Sequence, residues 1–335
     1  MKCKRTVLPL LGTAFEPGRL ADALNEFEDK ELAEIAQAEA YYFSAQAEAC
    51  VKIVEKYLNS EDVILRMSAD MLYTFANLTL GDAMAAQMAR EDVHICLKKA
   101  LEDETDLETQ ASCLFALYVI SVLIHIPPEK ELPLLKDYLR YIPEGQRLFA
   151  MSLLAHGAYL NQEYAKGQGM AQAAMLMSEK MYPIPFIYLN CVAAMCQINQ
   201  KNQEGARDSV IHAWEIARQD KLLEPFIEYH GLLQGVLEVW VKQREPDVYK
   251  KLMDGVIAFS RGWMKIHNPE MQKAVTDLLT PVEFSIAMLA CRDWSNQEIA
   301  EHMGLSVNTV KHYVSTILEK LQIDKRDKIK EFVNQ

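Results

Sequence analysis

From about residue 20 to residue 265, apolar positions recur three and four apart, the period of a helix that buries one face. Strict alternation of β-branched and polar residues, the mark of a half-buried strand, is nearly absent. The helical stretches break near Asn59-Ser60, Pro127-Pro128, Pro143, Pro183 with Pro185, Pro225 and Pro246. Proline lacks an amide donor and clashes with the preceding turn, so each one marks a boundary. The breaks are short, and short breaks make neighbouring helices pack antiparallel as hairpins. The pattern predicts an all-α chain.

Two stretches repeat an arrangement of small and aromatic residues. Ala38, Tyr41, Ala45, Cys50, Val54 and Tyr57 form one copy, and Ala193, Ala194, Ala206, Val210 and Ala213 reproduce much of it. Small residues where two helices cross let the backbones approach closely. The stretch resembles the tetratricopeptide repeat, a unit of about 34 residues built from two tightly packed helices. The usual large aromatic near the start of that unit is Glu34 in one copy and Asn190 in the other. An irregular all-helical domain is the alternative. Stacked hairpins suit a surface that grips a peptide, a partner helix or a small molecule. The aromatic residues of 226–235 and 240–263 recur at helical spacing and are expected to be core.

The tail carries the sharpest signals. Thr280-Pro281-Val282-Glu283 is a helix start, with Thr280 as cap, Pro281 preset for the first turn and Glu283 placed to reach back. Phe284, Ala287, Met288 and Cys291 follow at helical spacing, and Asp293-Trp294 ends the segment. Ser295-Asn-Gln-Glu298 is a second capping box, opening a short helix whose inner stripe is Ile299, Ala300 and Met303. Gly304 can close that helix in the left-handed conformation. Ser306 then caps a third helix, with Val307, Val310, Val314, Ile317, Leu318 and Leu321 turned inward. Two short helices hinged at a glycine are the helix-turn-helix plan, whose second helix enters the DNA major groove. Asn308, Thr309, Lys311, His312, Ser315 and Lys320 are left facing outward.

On those pieces, together with Asn308-Thr-Val-Lys311 and Ile317-Leu-Glu-Lys-Leu321, residues 279–334 resemble the LuxR-type DNA-binding domain, a four-helix module of transcription regulators. The resemblance implies that Lys311, His312 and Ser315 look toward base edges. It implies that Thr309, Tyr313 and Lys320 look toward phosphates, with Ser295 and Asn296 at the backbone beside them. It also implies that the final helix, around residues 328–333, pairs two copies into a homodimer. Val282 stands where the family has arginine, Asp293 where it has glycine, Tyr313 where it has histidine, and Ser315 at a place that is often basic. These departures remove positive charge and predict modest sequence-independent affinity.

Net charge is −12, unusual for a nucleic-acid binder, but it is unevenly spread. Residues 280–335 hold seven basic and eight acidic groups, and within them residues 306–330 hold six basic against three acidic. Positive charge therefore gathers near the end of an acidic chain. The longest apolar run, residues 111–126, is shorter than the roughly 20 residues a membrane span requires and predicts a buried helix. A basic start followed by apolar residues resembles a secretion signal. Pro9 interrupts the apolar part and no small-residue cleavage site follows, so export is not expected, and residues 1–19 precede the helical pattern as an N-terminal segment. Seven scattered cysteines without a C-x-x-C pair fit a reducing cytoplasm.

No metal-ligand spacing, nucleophile elbow or phosphate loop occurs, so neither a cofactor nor an enzyme is expected. Tyr229-His230 beside Glu228 is the nearest approach to an acid–base cluster. The layout, helical repeats over residues 20–270 before a LuxR-type domain at 276–335, resembles the C-terminal part of large activators of the MalT kind. The chain thus reads as a cytoplasmic bacterial regulator that binds double-stranded DNA, with the repeats taking an effector or protein partner and no membrane role. The alternative is an adaptor whose helix-turn-helix contacts protein instead of DNA.

Overall fold

A computed structural model describes residues 5–102, 106–124, 131–267 and 279–330. Every regular element among them is helical. The first nine helices are α1 (Leu20–Asn25), α2 (Lys30–Phe43), α3 (Ala47–Val54), α4 (Val63–Leu80), α5 (Ala83–Leu101), α6 (Leu107–Leu123), α7 (Leu135–Tyr138), α8 (Glu144–Leu160) and α9 (Tyr164–Met177). They are followed by α10 (Pro183–Asn199), α11 (Gln203–Ala217), α12 (Glu224–Leu233), α13 (Val236–Arg244) and α14 (Pro246–His267). The tail contributes α15 (Pro281–Cys291), α16 (Asn296–Met303) and α17 (Val307–Lys320).

Consecutive helices pack as hairpins: α2 with α3, α4 with α5, α8 with α9 and α10 with α11. Ala38, Cys50 and Val54 are fully buried in the first, and Ala193, Ala194, Ala206, Val210 and Ala213 in the last. The apolar run within residues 111–126 is α6, buried on nearly every side. No helix among the described residues is long and apolar enough to cross a membrane.

The prolines start helices rather than turn the hairpins. Pro183, Pro225 and Pro246 lie in the first turns of α10, α12 and α14, and Pro143 precedes α8. The hairpins themselves turn at Ala45, Gly81, Gln162 and Lys201, all with positive φ. After each, the next amide bonds back to the carbonyl five residues earlier, as in Gln46 to Tyr41, Asp82 to Asn77, Glu163 to Ala158 and Asn202 to Gln197. This bond closes a helix end by satisfying an orphan carbonyl. One turn chemistry therefore recurs along the array, with glycine at only one of the four positions.

Residues 5–19 pack into the array. Val7, Leu8, Leu10 and Leu11 are buried among its helices. The Leu10 and Leu11 amides donate to the two oxygens of Glu39 on α2, both at 2.9 Å. The Leu8 amide donates to Ser68 on α4, and Gln146 on α8 donates to the Val7 carbonyl. Arg5 closes the far end between Asp29, Glu31 and Asp62.

Candidate nucleic-acid interface

Both capping boxes predicted for the tail form. Thr280 Oγ1 accepts from the Glu283 amide, and Glu283 accepts from the Thr280 amide at 2.6 Å. Ser295 and Glu298 repeat the exchange at the start of α16. Gly304 has φ +63, and the next amide, that of Leu305, reaches the Ala300 carbonyl at 2.9 Å. Asp293 has φ +59, the conformation for which glycine is suited, and Trp294 N bonds back to the Leu289 carbonyl. Aspartate tolerates the left-handed region better than most residues. The missing glycine therefore leaves the turn intact.

Ile299, Ala300, Met303, Val310, Val314, Ile317 and Leu321 form the core of the small domain. Helix α15 differs from its predicted single stripe. Residues 285–291 are all buried, because one side faces α16 and α17 and the other faces α12 and α14 of the array. Ile329 and Lys330 begin a further helical turn after Arg326–Lys328. Residues 331–335, to which the predicted pairing helix extends, and the boundary at 270–276 lie outside the described residues.

The predicted contact residues divide by exposure. Asn308, Thr309, Lys311, His312 and Ser315 are exposed along one side of α17, and Tyr313 is half-buried. Ser315 Oγ donates to the Lys311 carbonyl, and Thr309 Oγ1 pairs with Ser306 Oγ, so both hydroxyls are held by their own helix. Ser295 is exposed but serves as a cap, and Asn296 Oδ1 accepts from Arg326 at 2.7 Å. Lys320 lies apart from the exposed row, its Nζ 2.7 and 2.8 Å from the two oxygens of Glu283. Burial pushes the Glu283 carboxyl up, but the Lys320 and Thr280 bonds outweigh it and hold the group below its ordinary range.

Internal partners engage most of the positive charge of the tail. Arg326 donates to Asn296 and to the Trp294 carbonyl, Lys328 pairs with Asp324, and Lys330 with Asp293. Lys311 and Lys325 are exposed, and neither forms an ion pair within the described residues.

The surface opposite α17's exposed row is fixed to the array, a docking that no sequence motif announced. His302 Nε2 donates to the Gln234 carbonyl at 2.8 Å in a buried contact. Ser285 reaches Glu238, which is itself paired with His230 at 2.8 Å. Lys201 bonds the second oxygen of Glu298 at 2.7 Å, and this bond with that from Ser295 holds the carboxyl at about 2. Arg292 donates to Tyr159. Gln234 and Gly235 have φ +47 and +90, and a Cβ on Gly235 would fall 1.9 Å from the Met303 sulfur. At that φ any other residue would be strained, and its Cβ would also push the Met303 side chain of α16 aside.

The acid–base cluster around residue 228 is interior. Glu228 accepts from Tyr42 and from Tyr188, Tyr229 pairs with His156, and His230 pairs with Glu238. Glu228 is half-buried and the others are buried, each already engaged by a partner within the array.

Comparison with known proteins accords with this geometry. Residues 277–332 match the family described as bacterial regulatory proteins, luxR family. The tail is thus a LuxR-type helix-turn-helix domain. The response regulator protein VraR of Staphylococcus aureus is 33% identical over 118 residues, covering 31% of this chain and 55% of that protein. The protein of the same name from Staphylococcus epidermidis is 32% identical over 115 residues with the same coverage. The chain thus spans about half the length of the curated relatives it matches. No solved structure matches the chain.

Proposed function

We propose that this chain regulates transcription by binding double-stranded DNA through α17, while the helical array takes up an effector or protein partner. The observation that carries this reading is the sidedness of the small domain. Its α15 and α16 faces are held by the array, and Asn308, Thr309, Lys311, His312 and Ser315 remain open on the other side. A helix set one turn after a glycine hinge, with donors and a cation along its exposed side, suits a major groove. Pairing of two copies through the final helix would present two such helices to a two-fold site.

Lys311→Ala is expected to weaken specific DNA binding by about 1–3 kcal/mol and to leave thermal stability unchanged, because the side chain is exposed. Anisotropy titrations on sites found by genomic footprinting measure this. Operator affinity equal to wild type would count against α17 as the reading helix.

The second reading is an adaptor whose helix-turn-helix contacts protein. The internal engagement of Lys320, Arg326, Lys328 and Lys330 favours it, since each cation already has a partner. No measurable DNA binding at low salt would select it.

A further inference from the structure

The N-terminal segment is held the way a groove holds a peptide. Its backbone is read by side chains of three different helices. Glu39 takes two successive amides, Ser68 takes another, and Gln146 donates to the carbonyls of Val7 and Leu8. A carboxylate trio grips Arg5. Within residues 5–19, hydrogen bonds from one residue of the segment to another come from Gly12, Thr13 and Arg19, each to a residue three or four positions earlier. Its far end leaves through an exposed loop around Glu16 and Gly18.

The fit is incomplete. Beneath Leu8 and Leu11 lies an apolar cavity floored by Tyr42, Phe75, Tyr188 and Glu228. Gln146 is 3% exposed, and its Oε1 has no hydrogen-bond partner among the described residues. The cavity has room for about one methyl group, so an occupant with one slightly larger apolar side chain and one more donor would satisfy both. The floor is also close to the docked domain in sequence, because Glu228 belongs to α12, which ends at the Gln234 carbonyl that accepts His302.

We infer that the groove between α2, α4 and α8 is a peptide site, filled here by the chain's own residues 5–12, and that its partner in trans is a peptide bearing one basic residue followed by aliphatic ones. The inference rests on the array being the sensing part and names the class of effector. The cation faces Asp29, Glu31 and Asp62, the aliphatic positions take the places of Val7, Leu8, Leu10 and Leu11, and backbone amides meet Glu39.

A protease site placed in the loop at residues 16–19 tests it on the full chain. After cleavage the fragment is expected to stay bound, helicity by circular dichroism to persist, and a labelled peptide of residues 1–16 to exchange in. An unlabelled Arg5→Ala peptide should compete at least tenfold worse than the unaltered one. Gly145→Ala gives a second handle, since a Cβ there would lie 2.6 Å from the Gly12 Cα and should weaken peptide uptake in the cut chain at least tenfold. Loss of helicity on cleavage, failure of the labelled peptide to enter, or equal competition by Arg5→Ala and scrambled peptides would each overturn the inference. Light scattering that shows an intertwined dimer with exchanged segments would overturn it in favour of a second copy as occupant. These readouts do not involve DNA, so their failure is separable from failure of the regulator reading.

Discussion

Lys320 Nζ lies within 2.8 Å of both carboxylate oxygens of Glu283, the residue that also closes the Thr280 capping box. One buried carboxylate therefore ties the last turn of α17 to the first turn of α15. Lys320→Ala should lower the stability of the small domain by about 1–2 kcal/mol, because a buried carboxylate loses its cation. Glu283→Gln in the same background should recover part of that loss. Thermal unfolding followed by Trp294 fluorescence measures both. An unchanged melting temperature with a shallower salt dependence of DNA binding would instead make Lys320 a phosphate contact.

The same pairing bears on salt dependence. Each phosphate neutralised contributes roughly −0.9 to the slope of log affinity against log salt. With Lys311 and Lys325 the exposed lysines outside ion pairs among residues 279–330, the slope should be about −2 per chain, or about −4 for a pair of chains. Anisotropy titrations between roughly 50 and 200 mM salt measure it. A slope steeper than about −6 would mean that the internally paired cations let go of their partners on binding DNA.

The helix-turn-helix was legible because its signals are local. A cap, a box and a left-handed glycine each act within five residues, so Thr280, Ser295, Gly304 and Ser306 fix their helices from sequence alone. The hairpin turns were less legible, since Ala45, Gln162 and Lys201 occupy a conformation that nothing in their side chains announces. The docking of His302 on Gln234 and the threading of Leu10 and Leu11 onto Glu39 join residues far apart in the chain, beyond the reach of periodicity. Residues 1–19 read as a separate segment because the helical pattern begins only at about residue 20, and their apolar run is short and broken by Pro9. That brevity suits a strip of chain that fills a groove and makes no core of its own.

Glu39 makes the array's stability depend on pH. Burial pushes its carboxyl up to about 8, against the lowering effect of the Leu10 and Leu11 amides. The ordinary value is about 4.5. A carboxyl raised on folding binds its proton more tightly in the folded chain. The stabilisation is therefore whole below about 4.5 and is lost as pH rises to about 8. Glu228, raised by burial to about 7, acts with the same sign over a narrower window. Urea midpoints should fall between pH 5 and pH 8.5, and Glu39→Gln should flatten the upper part of that fall. A midpoint that rises over this range would show Glu39 to be ionised in the folded chain.

His302 acts in the opposite direction, and at the junction between array and DNA-binding domain. Its ring is buried against Trp294 and gives its Nε2 hydrogen to the Gln234 carbonyl. Burial lowers its pKa below the ordinary 6.5, only partly offset by that bond and by the charge of Glu238. A histidine lowered on folding resists protonation in the docked state, whereas a released ring takes up a proton readily. Docking is therefore fully stabilised above about 6.5 and weakens as pH falls through that value toward the lowered one. Hydrogen exchange at residues 231–238 should accelerate between pH 7.5 and 5.5 beyond the intrinsic trend. His302→Phe should remove the pH dependence, because it keeps the ring packing without the titrating nitrogen. Exchange in wild type that follows the intrinsic trend alone would show that the α12–α13 junction does not sense the protonation of His302.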